Sequence, residues 1–317
     1  MGVLWDFIKS LATESFPPKS KFTIQDVPDL SGKVIIVTGG NSGLGFATSK
    51  VLVERGAKVY IATRNETKAK EAIEQITKET GKAPLFLKLD LADLDSIQGA
   101  ANTFLSQETR LDVLYNSAGV MIPPKSEVTK QGYDLQFGVN VLGHFYLTKL
   151  LLPLLISTAK SSAEGKARIV TVSSGAHHMS NLTFSTFKDG PVRQKANEWV
   201  LYGQSKYGAV VLAKELARRY GGEGIVSLGM NPGNINTNLQ KELPGWQATF
   251  VKMTIMNPIL PNGITTHLWA GTAPETAEYN GKYLIPWARV GTPRADSQDE
   301  AVGKELWTWL EEQVTGR

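Results

Sequence analysis

Six short runs of β-branched and aliphatic residues recur along the chain, at Val34–Thr38, Lys58–Ala62, Leu85–Lys88, Val113–Tyr115, Arg168–Val172 and Ile225–Gly229. Each is too short for a stable helix, and each is followed by a longer stretch in which apolar residues return every three or four positions. Strands that alternate with amphipathic helices predict βαβ units: an α/β fold, a single doubly wound parallel sheet with helices on both faces. The stretches "AGVMIPPKS" and "YGGEG" are turns within that pattern. No repeat, low-complexity segment or shift of composition marks a second domain, so residues 30–317 form one domain behind an arm and linker at 1–29. In the arm, Val3, Leu4, Phe7, Ile8 and Leu11 fall at helical spacing, but Asp6 and Lys9 interrupt a stretch far too short to cross a bilayer. The expectation is an arm folded on its own domain or on a partner subunit, with shallow contact to a membrane surface as the alternative.

Composition narrows the classes. Hydrophobic content of 42% with 20% charged residues is that of an ordinary soluble domain, and a formal charge of +4 is too small to indicate a nucleic-acid partner. With no cysteine, disulfides, thiolate nucleophiles and cysteine-ligated zinc are excluded. The four histidines are His144, His177, His178 and His267, and the adjacent pair lacks the spaced partners of a metal site, so none is expected. Without the basic leader and long apolar core of a secretory signal, a cytoplasmic protein is expected, peripheral to a membrane if the arm makes such contact.

Two stretches carry candidate chemistry. "VTGGNSGLGFATSKVL" joins the first strand to a helix, and Gly39, Gly43 and Gly45 permit a tight turn and close approach of backbone to a pyrophosphate at the helix N-terminus. The spacing departs from Gly-x-Gly-x-x-Gly. At the end of the second strand, where an acidic residue would accept from a ribose hydroxyl, "VYIATRNETK" supplies Arg64. A guanidinium suits a 2′-phosphate, which favours NADP over NAD. In "LYGQSKYG", Tyr202 and Lys206 stand four apart on one helix face, where the ammonium would draw down the tyrosine pKa towards acid–base use. Such a pair also arises by chance, and alone it does not decide between chemistry and coincidence.

Taken in order, these motifs resemble the short-chain dehydrogenases/reductases, and within them the retinol dehydrogenase-like branch, over nearly everything from Leu30 onward. "TGGNSGLG" is similar to the family's cofactor turn, which places Ser42 and Leu44 beside the glycines at the nucleotide. "LDLADL" carries Asp90 and Leu91, which in the family flank the adenine. "NSAG" resembles the family's Asn-Asn-Ala-Gly, with Asn116 and the backbone near Ala118 expected at the cofactor; Ser117 replaces the second Asn and its bracing carboxamide. "FGVNVLGHF" supplies Asn140, to which the resemblance gives a water relay to Lys206. In "RIVTVSSGAHH" the catalytic serine aligns with Ser174, leaving Ser173 structural. "NPGNINTNL" resembles the turn whose Pro232, Ile235 and Thr237 hold the nicotinamide carboxamide and diphosphate.

The resemblance implies reversible hydride transfer with NADP(H) between the nicotinamide and a carbonyl carbon. Tyr202 would exchange the proton, Ser174 steady the oxygen, Lys206 tune Tyr202 and grip the ribose, and Asn140 position water. Trp246, Phe250, Met253, Met256 and Ile259, in a covering segment at 238–265, suggest with Met121 and Ile122 a lipophilic aldehyde or ketone and its alcohol. The final helix is a cap with Trp307 on its buried side. Two departures stand out: a long insertion, "LTFSTFKDGPVRQKANEWV", between Ser174 and Tyr202, and no membrane-spanning helix like that of membrane-bound retinol dehydrogenases. Alternatives are a non-catalytic NADP-binding regulator and a sugar-nucleotide epimerase, whose pattern wants Gly where this chain has Ser42. A homodimer through the helices of Asn140 and Tyr202 is one expectation; burial of both within a monomer is the other.

Overall fold

The computed structural model describes residues 12–235 and 259–317. One eight-stranded sheet runs in the order β3-β2-β1-β4-β5-β6-β7-β8. The strands are β1 (Val34–Thr38), β2 (Lys58–Thr63), β3 (Leu85–Lys88), β4 (Val113–Asn116), β5 (Ala167–Val172), β6 (Ile225–Met230), β7 (Tyr283–Ile285) and β8 (Arg289–Gly291). Neighbours are parallel from β3 through β7, and β8 closes the edge antiparallel to β7. The six expected strands are present within a residue or so at each end. The last two are three residues each, too short to leave a periodic signal.

Strand β1 is buried along its whole length because both faces of the sheet are covered. Ile35 and Val37 enter one core, with α1 (Gly43–Glu54) and Ile76 of α2 (Glu66–Thr80). Val34 and Ile36 enter the other, under α3 (Leu94–Gln107), α4 (Leu135–Ser161) and α5 (Glu198–Tyr220). The strand order reverses between β1 and β4, and at such a switch point the loops leaving the two carboxyl ends diverge and open a crevice.

Helix α4 is apolar and long enough to cross a bilayer, but 72% of its most apolar window lies inside the protein. Its stretch Gly138–Gly143 is π-helical. The outer sides of α4 and α5 are covered by the chain's own terminal helix, α6 (Glu300–Val314). Trp307 meets the Phe145 ring edge-on at 5.0 Å and lies under the Arg219 guanidinium at 4.4 Å, while Lys149 pairs with Glu311. The insertion before Tyr202 is pinned rather than loose. Arg193, 2% exposed, donates to Asp134 Oδ2, Asp189 Oδ1 and the Glu127 carbonyl, each at 2.9 Å, and Phe187 stacks on Phe137 at 3.6 Å.

Candidate active site

The glycine turn after β1 is shaped by close backbone contacts. Gly39 (φ +69°) and Gly43 (φ +54°) take left-handed conformations that other residues resist, and a Cβ on Gly45 would lie 2.5 Å from the Gly39 carbonyl oxygen. Ser42 precedes α1 without capping it by its side chain, so the first amides of that helix keep no side-chain acceptor there. Such an amide end, flanked by glycines, fits a diphosphate.

Thr38 is the brace of this region. Its hydroxyl oxygen accepts from Ser117 N (2.8 Å) and Ala118 N (2.9 Å), and its proton faces the Tyr115 carbonyl (3.1 Å) and His144 Nε2 (3.0 Å). His144 is fully buried, and the loss of hydration holds its pKa near 4, so the ring is neutral. Its Nδ1 then donates to the Asn140 carbonyl at 3.2 Å. One hydroxyl therefore ties together β1, the "NSAG" turn and α4. The carboxamide that Ser117 lacks is not needed for this brace, because the turn is held through its backbone.

The crevice holds about 530 Å³ and is lined by residues from every expected cofactor motif: Gly39, Ser42, Gly43, Leu44, Gly45, Arg64, Asp90, Leu91, Ala118, Pro232 and Ile235, with Ser174, Tyr202 and Lys206 at the far end. Arg64 and Lys68 stand exposed at the start of α2, and among the described residues neither takes part in an ion pair. Two uncommitted cations at the adenosine end match the charge of a 2′-phosphate. Lys68 and Trp199 were not among the expected site residues. Lys68 lies in the first turn of α2, whose N-cap Asn65 follows Arg64, and Trp199 stands one turn ahead of Tyr202, so only Trp199 could have been found from helical spacing.

Four of the expected residues, Asn116, Asn140, Ile122 and Ile259, are absent from the crevice lining. Asn116 is 1% exposed and does not line the crevice; its side chain turns towards α4 and donates to Thr148 Oγ1 at 3.1 Å. Asn140 also stands behind the wall. Its Oδ1 accepts from Val120 N (2.9 Å), and its Nδ2 donates to Val120 O (3.1 Å) and Ser205 Oγ (2.9 Å). Its amide thus fastens the segment beside Gly119, where a Cβ would lie 3.1 Å from Asn140 Oδ1 and 3.5 Å from Lys206 Nζ. Ile259 packs on the α1 core, and Ile122 is absent from the lining, its N–H bound to Gln136 Oε1 at 2.9 Å. Thr237, Trp246, Phe250, Met253 and Met256 lie outside the described residues.

At the far end, Ser173 and Ser174 have different surroundings. Both line the crevice, but Ser173 is 2% exposed and commits its hydroxyl to the Lys206 carbonyl at 2.7 Å. Ser174 lines the crevice, its oxygen accepting from Ala176 N at 3.2 Å and its side chain hydrogen-bonded with Tyr202. His177, neutral because burial lowers its pKa to about 4, fixes the Ser174 carbonyl through Nδ1 at 2.7 Å. Close packing of α5 on this segment needs Gly203, whose Cβ would lie 2.5 Å from Ser180 Oγ.

Lys206 places Nζ 5.7 Å from the Tyr202 ring centroid and 3.2 Å from the Val172 carbonyl oxygen. The expected drop in the Tyr202 pKa does not result. Burial pushes the phenol up to about 12 against the opposing Ser174 hydrogen bond, and the same burial brings Lys206 down to about 8. Desolvation penalises both charged forms, and it exceeds what an ammonium over the ring face returns. The arrangement therefore offers a protonated phenol, a serine hydroxyl and a lysine around one crevice.

Comparison with known proteins agrees with this geometry. A family model described as short chain dehydrogenase matches residues 33–188. Two short-chain dehydrogenases/reductases of Armillaria gallica are each 51% identical to the chain, over 99% and 98% of it and the same shares of their own lengths. One from Phomopsis amygdali is 40% identical over 97% of both chains. Among solved structures, an uncharacterized protein of Mycobacterium paratuberculosis superposes with TM-score 0.70 at 29% identity, covering 92% of this chain and 97% of that one. A structure described as a short chain dehydrogenase of Shigella flexneri complexed with NADP gives TM-score 0.61 at 25% identity, covering 82% and 98%. The chain belongs to the short-chain dehydrogenase/reductase family, the oxidoreductases whose parallel sheet and crevice it shares.

Proposed function

We propose that the protein is an NADP(H)-dependent reductase that converts a lipophilic aldehyde or ketone to its alcohol. The observation that carries this reading is the meeting of Ser174, Tyr202 and Lys206 at one end of a crevice whose other end carries Arg64 and Lys68. NADPH, when bound, supplies the hydride. Tyr202, whose phenol burial keeps protonated, donates a proton to the carbonyl oxygen as charge develops there. Ser174 donates a hydrogen bond to the same oxygen, its own oxygen being held by Ala176 N. Lys206 keeps a positive charge beside Tyr202 and within reach of ribose hydroxyls, and Asn140 holds the Gly119–Val120 wall against it. A phenol raised to about 12 holds its proton at neutral pH, the form in which it can donate to a carbonyl oxygen.

Met121, Val139, Ala176 and Trp199 give this end an apolar lining that suits a lipophilic substrate. The length of the insertion between Ser174 and Tyr202 supports the finer placement in the retinol dehydrogenase-like branch. The relative complexed with NADP supports the choice of cofactor, as do Arg64 and Lys68, which form no ion pair among the described residues. Cytoplasmic residence, with the arm as any membrane contact, completes the reading. The test is NADPH and NADH consumption across a panel of lipophilic aldehydes and ketones, with wild type and Tyr202→Phe. Turnover with NADPH that collapses in the variant supports the reading. Tight cofactor binding with no turnover across the panel supports a non-catalytic regulator instead.

A further inference from the structure

The N-terminal arm carries a carboxylate to the edge of the site. Residues 12–15 form a helical turn, and Glu14 is only 4% exposed, a degree of burial that acidic side chains reach when partners hold them. Glu14 Oε2 accepts from Asn231 Nδ2 at 2.5 Å, and Oε1 lies 3.6 Å from His178 Nε2. Its charge also acts on Tyr283 of β7 and on Arg289 of β8, and the Arg289 guanidinium donates to the Thr13 carbonyl at 2.9 Å. The arm thus fastens the segment after Ser174, the turn after β6 and the β7–β8 edge. A Cβ on Gly175 would lie 3.7 Å from both Glu14 Oε2 and Asn231 Nδ2, so this contact sits directly behind the residue that follows Ser174.

Asn231 transmits the contact. With Nδ2 given to Glu14, Oδ1 accepts from Gly233 N at 2.9 Å and closes the turn, in which Gly233 stands at φ +88°. The amide turned over would set Oδ1 against a carboxylate and Nδ2 against an N–H, so the Glu14 charge selects one orientation. Asn231, Pro232 and Gly233 are themselves crevice wall at the Ser174 end.

We propose that Glu14 is a positioning residue for the nicotinamide end of the cofactor site, acting through Asn231 on the turn that follows β6. The proposal rests on the NADP reading, and it assigns a role in the site to a residue outside the segment 33–188 that the family model matches.

Binding of NADPH and of 2′-phospho-ADP-ribose, which lacks the nicotinamide, separates the two ends of the site without relying on turnover. Glu14→Ala is expected to weaken NADPH about tenfold, as for loss of one charge-assisted hydrogen bond, and to change 2′-phospho-ADP-ribose by less than about twofold. Asn231→Asp is expected to weaken NADPH similarly by opposing two carboxylates. Glu14→Gln added to it is expected to recover most of the loss, because the glutamine amide can donate to the introduced carboxylate. Equal loss of both ligands in Glu14→Ala, no loss of either, or a double variant no better than Asn231→Asp would overturn the proposal. Should Glu14→Ala not fold, the Asn231→Asp and double variants carry the test. Wild type that binds neither ligand overturns the NADP reading itself.

Discussion

The Ser173 hydroxyl donates to the Lys206 backbone carbonyl at 2.7 Å, bolting the end of β5 to the helix that presents Tyr202. Of two neighbouring serines that line the crevice, one thus has its hydroxyl committed as a fastener, while the other's oxygen accepts only from Ala176 N among the described backbone amides. Ser174→Ala is expected to lower kcat about 100-fold at unchanged Tm, in line with the loss of one donor to a developing oxyanion. Ser173→Ala is expected to cost about 1 kcal/mol of stability with a much smaller effect on kcat. Thermal denaturation beside steady-state kinetics separates the two; equal kinetic losses would contradict the assignment.

Tyr202→Phe removes the proton donor while keeping the ring under Lys206. A fall in kcat of roughly 10²–10⁴-fold is expected, with the NADPH dissociation constant changed little. The pH profile follows from burial. Lys206, brought down to about 8, is cationic below that pH and neutral above it, whereas Tyr202 stays protonated until about 12. The reductive kcat is therefore expected to hold from neutral pH to about 8 and to decline above it. A rate that climbs steadily from pH 7 to 10 would show the opposite role.

The same buried ammonium has a consequence for stability. Its folded pKa, about 8, lies below the ordinary 10.5, so the unfolded chain binds more protons between those values and this group adds stability as pH rises through them. Below pH 8 the full cost is present. Lys206→Met is expected to raise Tm at pH 7 even as it abolishes turnover, and the gain is expected to shrink above pH 8. Denaturation of both proteins across pH 6–10 measures this.

Arg64→Ala is expected to raise the KM for NADPH by about tenfold and leave that for NADH nearly unchanged, as for one exposed charge-assisted contact. The effect should weaken in high salt, because Arg64 is exposed and screened. Equal losses with both cofactors would argue that Arg64 does not meet a 2′-phosphate.

A homodimer through α4 and α5 would require the Trp307 helix to leave its place over Phe145 and Arg219. The expected species in sedimentation is a monomer of 34.6 kDa. Removal of residues 300–317 would uncover apolar surface on α4 and α5, and the expected outcome is self-association or precipitation.

Much of this protein is legible in one dimension because the features are local. Strand β1 betrays itself by five consecutive apolar or β-branched residues, and the turn behind it by glycines whose backbone angles other residues resist. Tyr202 and Lys206 meet because four residues make a turn of helix. Such signals depend on neighbours in sequence, and so the α/β alternation and the glycine turn that opens the crevice were within reach of the sequence, whereas the choice of Ser174 rested on the family resemblance.

What the tertiary structure alone decided depends on partners far apart in the chain. Asn116 and Asn140 belong to the expected motifs, yet their amides are claimed by Thr148, Val120 and Ser205, and nothing near them in sequence announces this. The short strands β7 and β8 exist because an edge of the sheet was there to receive them. The Tyr202 pKa rises because the whole domain excludes water from it, outweighing the lysine one turn away. Glu14 reaches Asn231 across most of the chain. Local geometry is written in short-range sequence, whereas burial and long-range hydrogen bonding are settled only when the chain closes on itself.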